Sequence, residues 1–244
     1  MDKALYVSMN GAQATFDRMA HTSNNIANVA TNGFRAALSS TKALYVDATD
    51  GMPTRVFTQE ADAGYRADPG AMQSTGNPLD VAITGEGWFA MQDAQGKEAY
   101  TRGGSLTLSS EGVLVSASGR PMLGDGGTIT VPQGATDIAF GADGTVTVKQ
   151  NGQRSEIGRL KLTNPGAQEL ARGPDGLFRT KTGAPAALSP TTTMISGMLE
   201  GSNVSVVEEM THLIESQRRF DMQMKMMQAV EQNSGRASQI LNLG

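Results

Sequence analysis

The chain has 244 residues, 39% of them hydrophobic and 5% aromatic, with no cysteine and a net charge of −4. Lack of cysteine excludes disulfides, thiolate metal sites and a thiol nucleophile. An acidic balance, with a pI near 5.2, argues against nucleic acid, which needs a basic stripe, and no apolar run approaches the roughly 20 residues of a membrane span.

All nine prolines lie between Pro53 and Pro190, which leaves both ends free to be helical. The pattern is helical from about Asp2 to Asn28, and apolar residues recur at alternating spacings of four and three at Leu5, Met9, Ala12, Phe16, Met19, Ile26 and, just beyond, Ala30, with Ser23 filling one step. Such alternation is the seam of a coiled coil, a helix that needs a partner over a narrow stripe. Gly11 costs about 1 kcal/mol relative to alanine, so the helix is marginal alone. Met1-Asp2-Lys3 leads into this amphipathic stretch and not into an apolar core with a cleavage site, so no secretory signal is expected. The helix is predicted to end among Asn24, Asn25, Asn28 and Thr31-Asn32-Gly33, with Gly33 suited to a left-handed position. These short polar groups either cap carbonyls and set the exit angle of the chain or form an ordinary turn.

Residues 36–75 show weak periodicity and read as an extended linker, with a short helical piece near Thr41 to Val46. From residue 76 the pattern is β. Leu79 to Ile83 alternates and Trp88 to Met91 follows a Gly-Glu-Gly turn. Ser105–Leu108 and Val113–Val115 form a predicted hairpin, and Thr128–Val131, Asp137–Phe140, Thr145–Val148 and Ile157–Leu162 continue the series. Ala142-Asp143-Gly144 and Gln150-Asn151-Gly152 supply turn chemistry, and Leu177-Phe178 and Met194-Ile195 are placed to close the body. Short strands so closely spaced suggest a compact antiparallel barrel or sandwich.

The last helix is predicted from Gly201 to about Leu241. Ser202 or Asn203 suits its N-cap, and Ser205 with Glu208 offers a competing capping box. Asn233-Ser234-Gly235 is placed to loosen it. At ~1.5 Å per residue it would extend about 55 Å. Its seam runs through Val206, Met210, Leu213, Phe220, Met224 and Met227, with Gln217 filling one step. A second line holds Met226, Val230, Ala237 and Ile240, so more than one neighbour is expected, whether other subunits or the chain's own body. Five of the 14 methionines lie in this helix, and the unbranched thioether adapts to non-identical surfaces. The expected fold is α+β. Long N- and C-terminal helices form a coiled-coil-like bundle around a central antiparallel barrel- or sandwich-like body, with boundaries at 1–35, 36–75, 76–200 and 201–244.

Chemical motifs are sparse. Gly85-Glu86-Gly87-Trp88-Phe89-Ala90 spells a dinucleotide pattern, but a strand follows where a helix would have to open, so a hairpin turn is the better reading. His21 and His212 have no acidic or histidine partner four residues on, and Asp93, Asp125, Asp143 and Asp175 are scattered through turns. Asn203-Val204-Ser205 spells a glycosylation sequon, although the N-cap reading is stronger. No catalytic, cofactor or metal residue is identified, and no enzyme activity is expected.

Four blocks carry a resemblance. Asn24-Asn25-Ile26-Ala27-Asn28-Val29-Ala30-Thr31-Asn32-Gly33-Phe34-Arg35 resembles the N-terminal signature of the bacterial flagellar rod and hook proteins. Gly76-Asn77-Pro78-Leu79-Asp80-Val81-Ala82-Ile83, running on through Trp88-Phe89, resembles the opening of that family's β-domain. Tyr100-Thr101-Arg102-Gly103-Gly104-Ser105 is similar to the next block, usually written with asparagine where Gly103 stands. Leu199-Glu200-Gly201-Ser202-Asn203-Val204 resembles the junction into the C-terminal helix, where the distal-rod sibling usually has alanine in place of Gly201. The short body and Arg218-Arg219-Phe220-Asp221-Met222-Gln223-Met224-Lys225 are most similar to the proximal-rod member.

The resemblance implies a structural subunit of the periplasmic drive shaft, exported by the flagellar type III apparatus without signal cleavage. Its implied partners are copies of itself, the proximal-rod proteins FlgB and FlgC, and the distal-rod protein FlgG. The implied assembly interface packs Leu5, Met9, Phe16, Met19 and Ile26 against Met210, Leu213, Phe220, Met224 and Met227 of the same and neighbouring subunits. Asn24, Asn25, Asn28, Thr31, Gly33 and Phe34 border it. Arg218 and Arg219 either pair with acidic neighbours or face solvent. A distal-rod or short hook protein is the near alternative, and a glycan-binding β module with helical flanks is the alternative from another class.

Overall fold

The computed structural model describes residues 3–45 and 56–241, and the chain divides into two compact units. The first takes its residues from 1–27, 37–65 and 204–244, the second from 28–36 and 66–203.

The first unit contains α1 (Lys3–Ala27), β1 (Ala37–Tyr45), β2 (Val56–Tyr65) and α2 (Val206–Leu241). α1 packs along α2 and the two run antiparallel, since Asn25 meets Glu209 while Thr15 meets Gln223. Ser205 is the N-cap of α2: the Glu208 amide donates to its hydroxyl at 3.4 Å. Glu208 and Glu209 in the first turn complement the positive end of the helix dipole. α2 runs unbroken through Asn233-Ser234-Gly235, where loosening was expected.

Residues 37–65 correct the linker expectation. β1 and β2 pair antiparallel from Ala37↔Tyr65 to Tyr45↔Val56, with a register shift between Leu38 and Ser39. Thr41–Tyr45 is strand and not helix, and Val46 lies outside the described residues. The ribbon buries neither face fully, so its side chains show no polar–apolar alternation that would announce a strand.

The second unit is an antiparallel β body. Its central sheet has five strands in the order 162–163, 88–92, 98–101, 178–180 and 170–172, and a three-stranded sheet joins 136–140, 145–150 and 153–159. Two-stranded pairs join 81–84 with 193–196, 72–74 with 198–200, 106–108 with 114–116, and 123–124 with 127–128. None of these sheets closes on itself into a barrel. The hairpins expected at 105–115 and at Asn151-Gly152 are present, the latter with both turn residues at positive φ as an Asn-Gly turn requires. The core gathers Val81, Ile83, Phe89, Met91, Leu106, Leu114, Met122, Val146 and Leu160, each contributing roughly 1.5–3 kcal/mol by burial.

The Gly85-Glu86-Gly87 segment is not a hairpin. The strand before it pairs with 193–196 and the strand after it pairs with 98–101 and 162–163, so the chain changes sheets there. Gly87 has φ of +135°, and a Cβ on it would lie 2.5 Å from the Thr192 methyl. The segment therefore needs glycine for backbone geometry, with no helix following to receive a phosphate.

Candidate assembly surface and the lock behind the family signature

Within the first unit, the residues facing the partner helix follow the expected alternation of three and four but on a neighbouring line. On α1 the covered positions are Leu5, Ser8, Ala12, Thr15, Met19, Thr22 and Ile26. On α2 they are Glu209, Leu213, Ser216, Phe220, Gln223, Met227 and Val230. Half of each line is small or polar, and the helices close over it because those side chains are short or hydrogen-bonded. Thr15 Oγ1 lies 2.8 Å from the Gly11 carbonyl and 3.2 Å from Gln223 Oε1. A Cβ on Gly11 would lie 2.8 Å from Gln223 Nε2, the movable end of a side chain, so this glycine, read from sequence as a helix cost, sits directly at the helix contact.

Asn25 organises the far end of this pair. It is buried, and its amide nitrogen donates to Glu209 Oε1 at 2.9 Å and to the Ala37 carbonyl at 3.1 Å. Its amide oxygen accepts from the Ala37 amide at 2.9 Å. One side chain thus satisfies both backbone groups of Ala37 and ties the start of β1 to both helices. A second tie holds β2: Asn10 Oδ1 accepts from the Thr58 amide at 2.8 Å. Arg18 bonds to Thr41 and pairs with Glu60 at 3.3 Å. Burial works against the Glu60 charge, yet hydrogen bonds from Ser39, Arg18 and Thr41 outweigh it and hold its carboxyl below the usual range.

The pairing leaves several large apolar side chains uncovered. Met9 and Phe16 are 55% and 59% exposed, and Met210, Met222 and Met226 are 51%, 61% and 60% exposed. At about 100° per residue, Met210 and the half-exposed Ile214 fall on one flank of the α1-facing line of α2, and Met222 and Met226 on the other. Of the expected interface residues, Leu5, Met19, Ile26, Leu213, Phe220 and Met227 are thus half-buried within the chain, while Met9, Phe16, Met210 and Met224 remain exposed. Arg218 and Arg219 are exposed, and the His212 ring lies 4.0 Å from Glu209.

The signature around Gly33 does something the sequence did not suggest: it builds a buried lock inside the second unit. Thr31 and Asn28 form a turn, the Thr31 amide donating to the Asn28 carbonyl at 3.1 Å and the Phe34 amide to the Thr31 carbonyl at 3.2 Å. The Gly33 amide donates to the Glu200 carbonyl at 2.7 Å. Gly33 has φ of +70°, and a Cβ there would come within 2.2 Å of the Arg102 backbone. Phe34 is buried under the Arg172 guanidinium, 4.3 Å above its ring. Asn24 is exposed.

Three residues that sequence reasoning passed over sit at the centre. The Glu200 carboxylate is 2.7 Å from Arg35 Nη2 and takes Arg102 Nε at 2.9 Å and Nη2 at 2.8 Å, all three side chains being almost fully buried. Glu200 also accepts from the Gly70 amide at 3.1 Å. Arg102 also donates to the Gly87 and Gly85 carbonyls, both at 2.8 Å, and Arg35 donates to the Asp68 carbonyl. Burial pulls the Arg102 guanidinium below its ordinary value, opposed by Glu200 and reinforced by Arg35. Asn203, expected as an N-cap or sequon, joins the same junction. Its side chain accepts from the Ala36 amide at 2.7 Å and donates to the Arg66 and Asp68 carbonyls at 2.9 and 2.8 Å. The four blocks that carry the family resemblance therefore converge on one buried charge cluster. The signal available in the sequence was one uncommon charge in each of three blocks, but nothing local pairs them.

Comparison with known proteins agrees with this geometry. Residues 5–35 match the family described as flagella basal body rod protein, residues 82–148 the flagellar hook protein FlgE/F/G D1 domain, and residues 195–240 the C-terminal region of the flagellar basal body rod FlgEFG proteins. The chain is 41% identical over 253 residues to the flagellar basal-body rod protein FlgF of Escherichia coli K12 and to that of Salmonella typhimurium LT2, with 100% of each chain covered. It is 31% identical to the FlgG rod protein of Agrobacterium fabrum, over 94% of this chain and 96% of that one. The chain therefore belongs to the FlgF family of flagellar basal-body rod proteins and is a structural subunit of that rod, not an enzyme.

Proposed function

We propose that this subunit joins the proximal rod through the apolar faces that the α1–α2 pair leaves open. One observation carries the proposal: α1 and α2 meet along a line that is half polar, while Met9, Phe16, Met210, Met222 and Met226 remain exposed on their flanks. A chain that packs a mixed polar and apolar line inward and leaves several methionines outward has apolar surface free for other helices. In the assembled rod these helices form a coiled-coil-like bundle with copies of the same chain and with other axial proteins. FlgB and FlgC stand on the proximal side and FlgG on the distal side. The β body itself is sandwich-like. The subunit reaches the periplasmic rod through the flagellar type III apparatus with no signal peptide removed, and helices that are marginal alone suit a chain threaded in unfolded form.

The assembly interface narrows accordingly to the exposed set, with Leu5, Met19, Ile26, Leu213, Phe220 and Met227 supporting the intrachain pair, Asn25 tying that pair to β1, and Asn28, Thr31, Gly33 and Phe34 setting backbone geometry within the second unit. Deleting residues 205–244 tests the proposal: the remaining β body should stay folded and be absent from isolated basal bodies. A truncated chain that enters rods and supports motility would overturn it. Cryo-EM of basal bodies carrying a tagged chain separates the proximal from the distal position.

A further inference from the structure

Seven of the methionines lie in two contrasting environments. Met91, Met122 and Met194 are in the β core, at most 3% exposed, whereas Met9, Met210, Met222 and Met226 are all more than half exposed on the helices. Thioether oxidation follows access, so the helical sulfurs react first. We propose that Met9, Met210, Met222 and Met226 are an oxidation site through which a peroxide-class oxidant disables the subunit before it is incorporated, and that reduction of the sulfoxides restores it. In the step itself, the sulfur lone pair attacks one peroxide oxygen. The S–O bond forms as the O–O bond breaks, the thioether is oxidised by two electrons to the sulfoxide, and the peroxide's second oxygen leaves as hydroxide, which takes the proton of the transferred oxygen to become water. The product carries a strong acceptor dipole on a side chain whose packing is apolar, and burying that dipole against another helix without a donor is unfavourable. Met210 lies on the opposite flank of α2 from Met222 and Met226, so oxidation spoils both flanks at once. Incorporated subunits are shielded by their neighbours, which confines the effect to folded chains that have not yet been incorporated. The inference rests on the assembly surface proposed above.

The test uses the full-length chain. Purified protein is treated with hydrogen peroxide and mapped by peptide mass spectrometry, where Met9, Met210, Met222 and Met226 are expected to oxidise roughly tenfold faster than Met91, Met122 and Met194. In cells, incorporation into isolated basal bodies is counted for the parent chain and for two variants of Met210, Met222 and Met226, one all leucine and one all glutamine. Peroxide applied during rod growth is expected to lower incorporation of the parent several-fold and to spare the leucine variant. The glutamine variant, a polar mimic of the sulfoxide, is expected to incorporate poorly with no oxidant present. Normal incorporation of the glutamine variant would refute the assembly surface itself. Poor incorporation of that variant, together with equal oxidation rates for the two methionine classes or with no protection by leucine, would refute the oxidation site alone. Should the leucine variant be excluded from rods even untreated, incorporation of peroxide-treated parent with and without methionine sulfoxide reductase decides: no recovery after reduction overturns the proposal.

Discussion

Replacing Glu200 by glutamine should be the most damaging single change in its charge cluster, and its size can be worked from the groups around it. Among the described residues Glu200 is the one carboxylate paired with Arg35 and Arg102, so the neutral amide leaves two buried guanidinium charges without that counter-charge. Losing one partner of a buried pair costs about 3–5 kcal/mol, a large share of the 5–15 kcal/mol typical of a whole domain. Removing an arginine is milder, because one neutral pair survives. Arg102→Met also orphans the Gly85 and Gly87 carbonyls, whereas Arg35→Met discards an Nε that is buried without a partner. The expected order of cost is therefore Glu200→Gln, then Arg102→Met, then Arg35→Met. Trp88 is the chain's one tryptophan and is buried beside Phe178, ring centroids 4.5 Å apart, so its fluorescence reports unfolding of this unit. With a urea slope of about 2 kcal/mol/M, the Glu200→Gln midpoint should fall by about 1.5–2.5 M. A midpoint within about 0.3 M of the parent, or Arg35→Met costing more than Glu200→Gln, would refute the reasoning.

Gly33→Ala combines a left-handed φ with a backbone clash and should cost about 2–4 kcal/mol, whereas Gly119→Ala, at φ of +75° in open space, should cost only about 1–2 kcal/mol; urea midpoints of the two variants check this. Asn25→Leu leaves the Ala37 amide and carbonyl unpaired and should destabilise the helix–hairpin unit by about 1–3 kcal/mol, seen as faster amide exchange in β1 and in the first turns of α2. Hydrogen bonds from Arg179, opposed by burial and joined by hydrogen bonds from Arg120, hold the Asp175 carboxyl well below the ordinary carboxylate range. A depressed folded value means that this stabilisation is complete above about pH 4 and is lost as pH falls further, so Arg179→Gln should flatten the acid limb of the stability profile measured by Trp88 fluorescence. Phe16→Glu alters an exposed ring and should leave thermal unfolding unchanged while lowering the amount of chain recovered in basal bodies.

The sequence by itself determined what depends on near neighbours along the chain. Helical ends follow from the absence of proline and from spacings of three and four, which a single helix expresses alone. Asn151-Gly152 and the hairpin at 106–116 follow from turn chemistry that is equally local. Which line of α1 meets which line of α2 was beyond that reach. Hydrophobicity favours Met9, Phe16, Met210 and Met224, but the pairing uses Ser8, Thr15, Glu209 and Ser216, whose short or bonded side chains let the backbones approach. The β1–β2 ribbon was hidden for a related reason, being held by backbone pairing and by Asn10, Arg18 and Asn25 from α1 and not by a buried face of its own. Only the tertiary structure decided the charge cluster. Arg35, Arg102 and Glu200 are far apart in the chain, and a buried ion pair is defined by mutual distance and exclusion of water, neither of which any local pattern encodes.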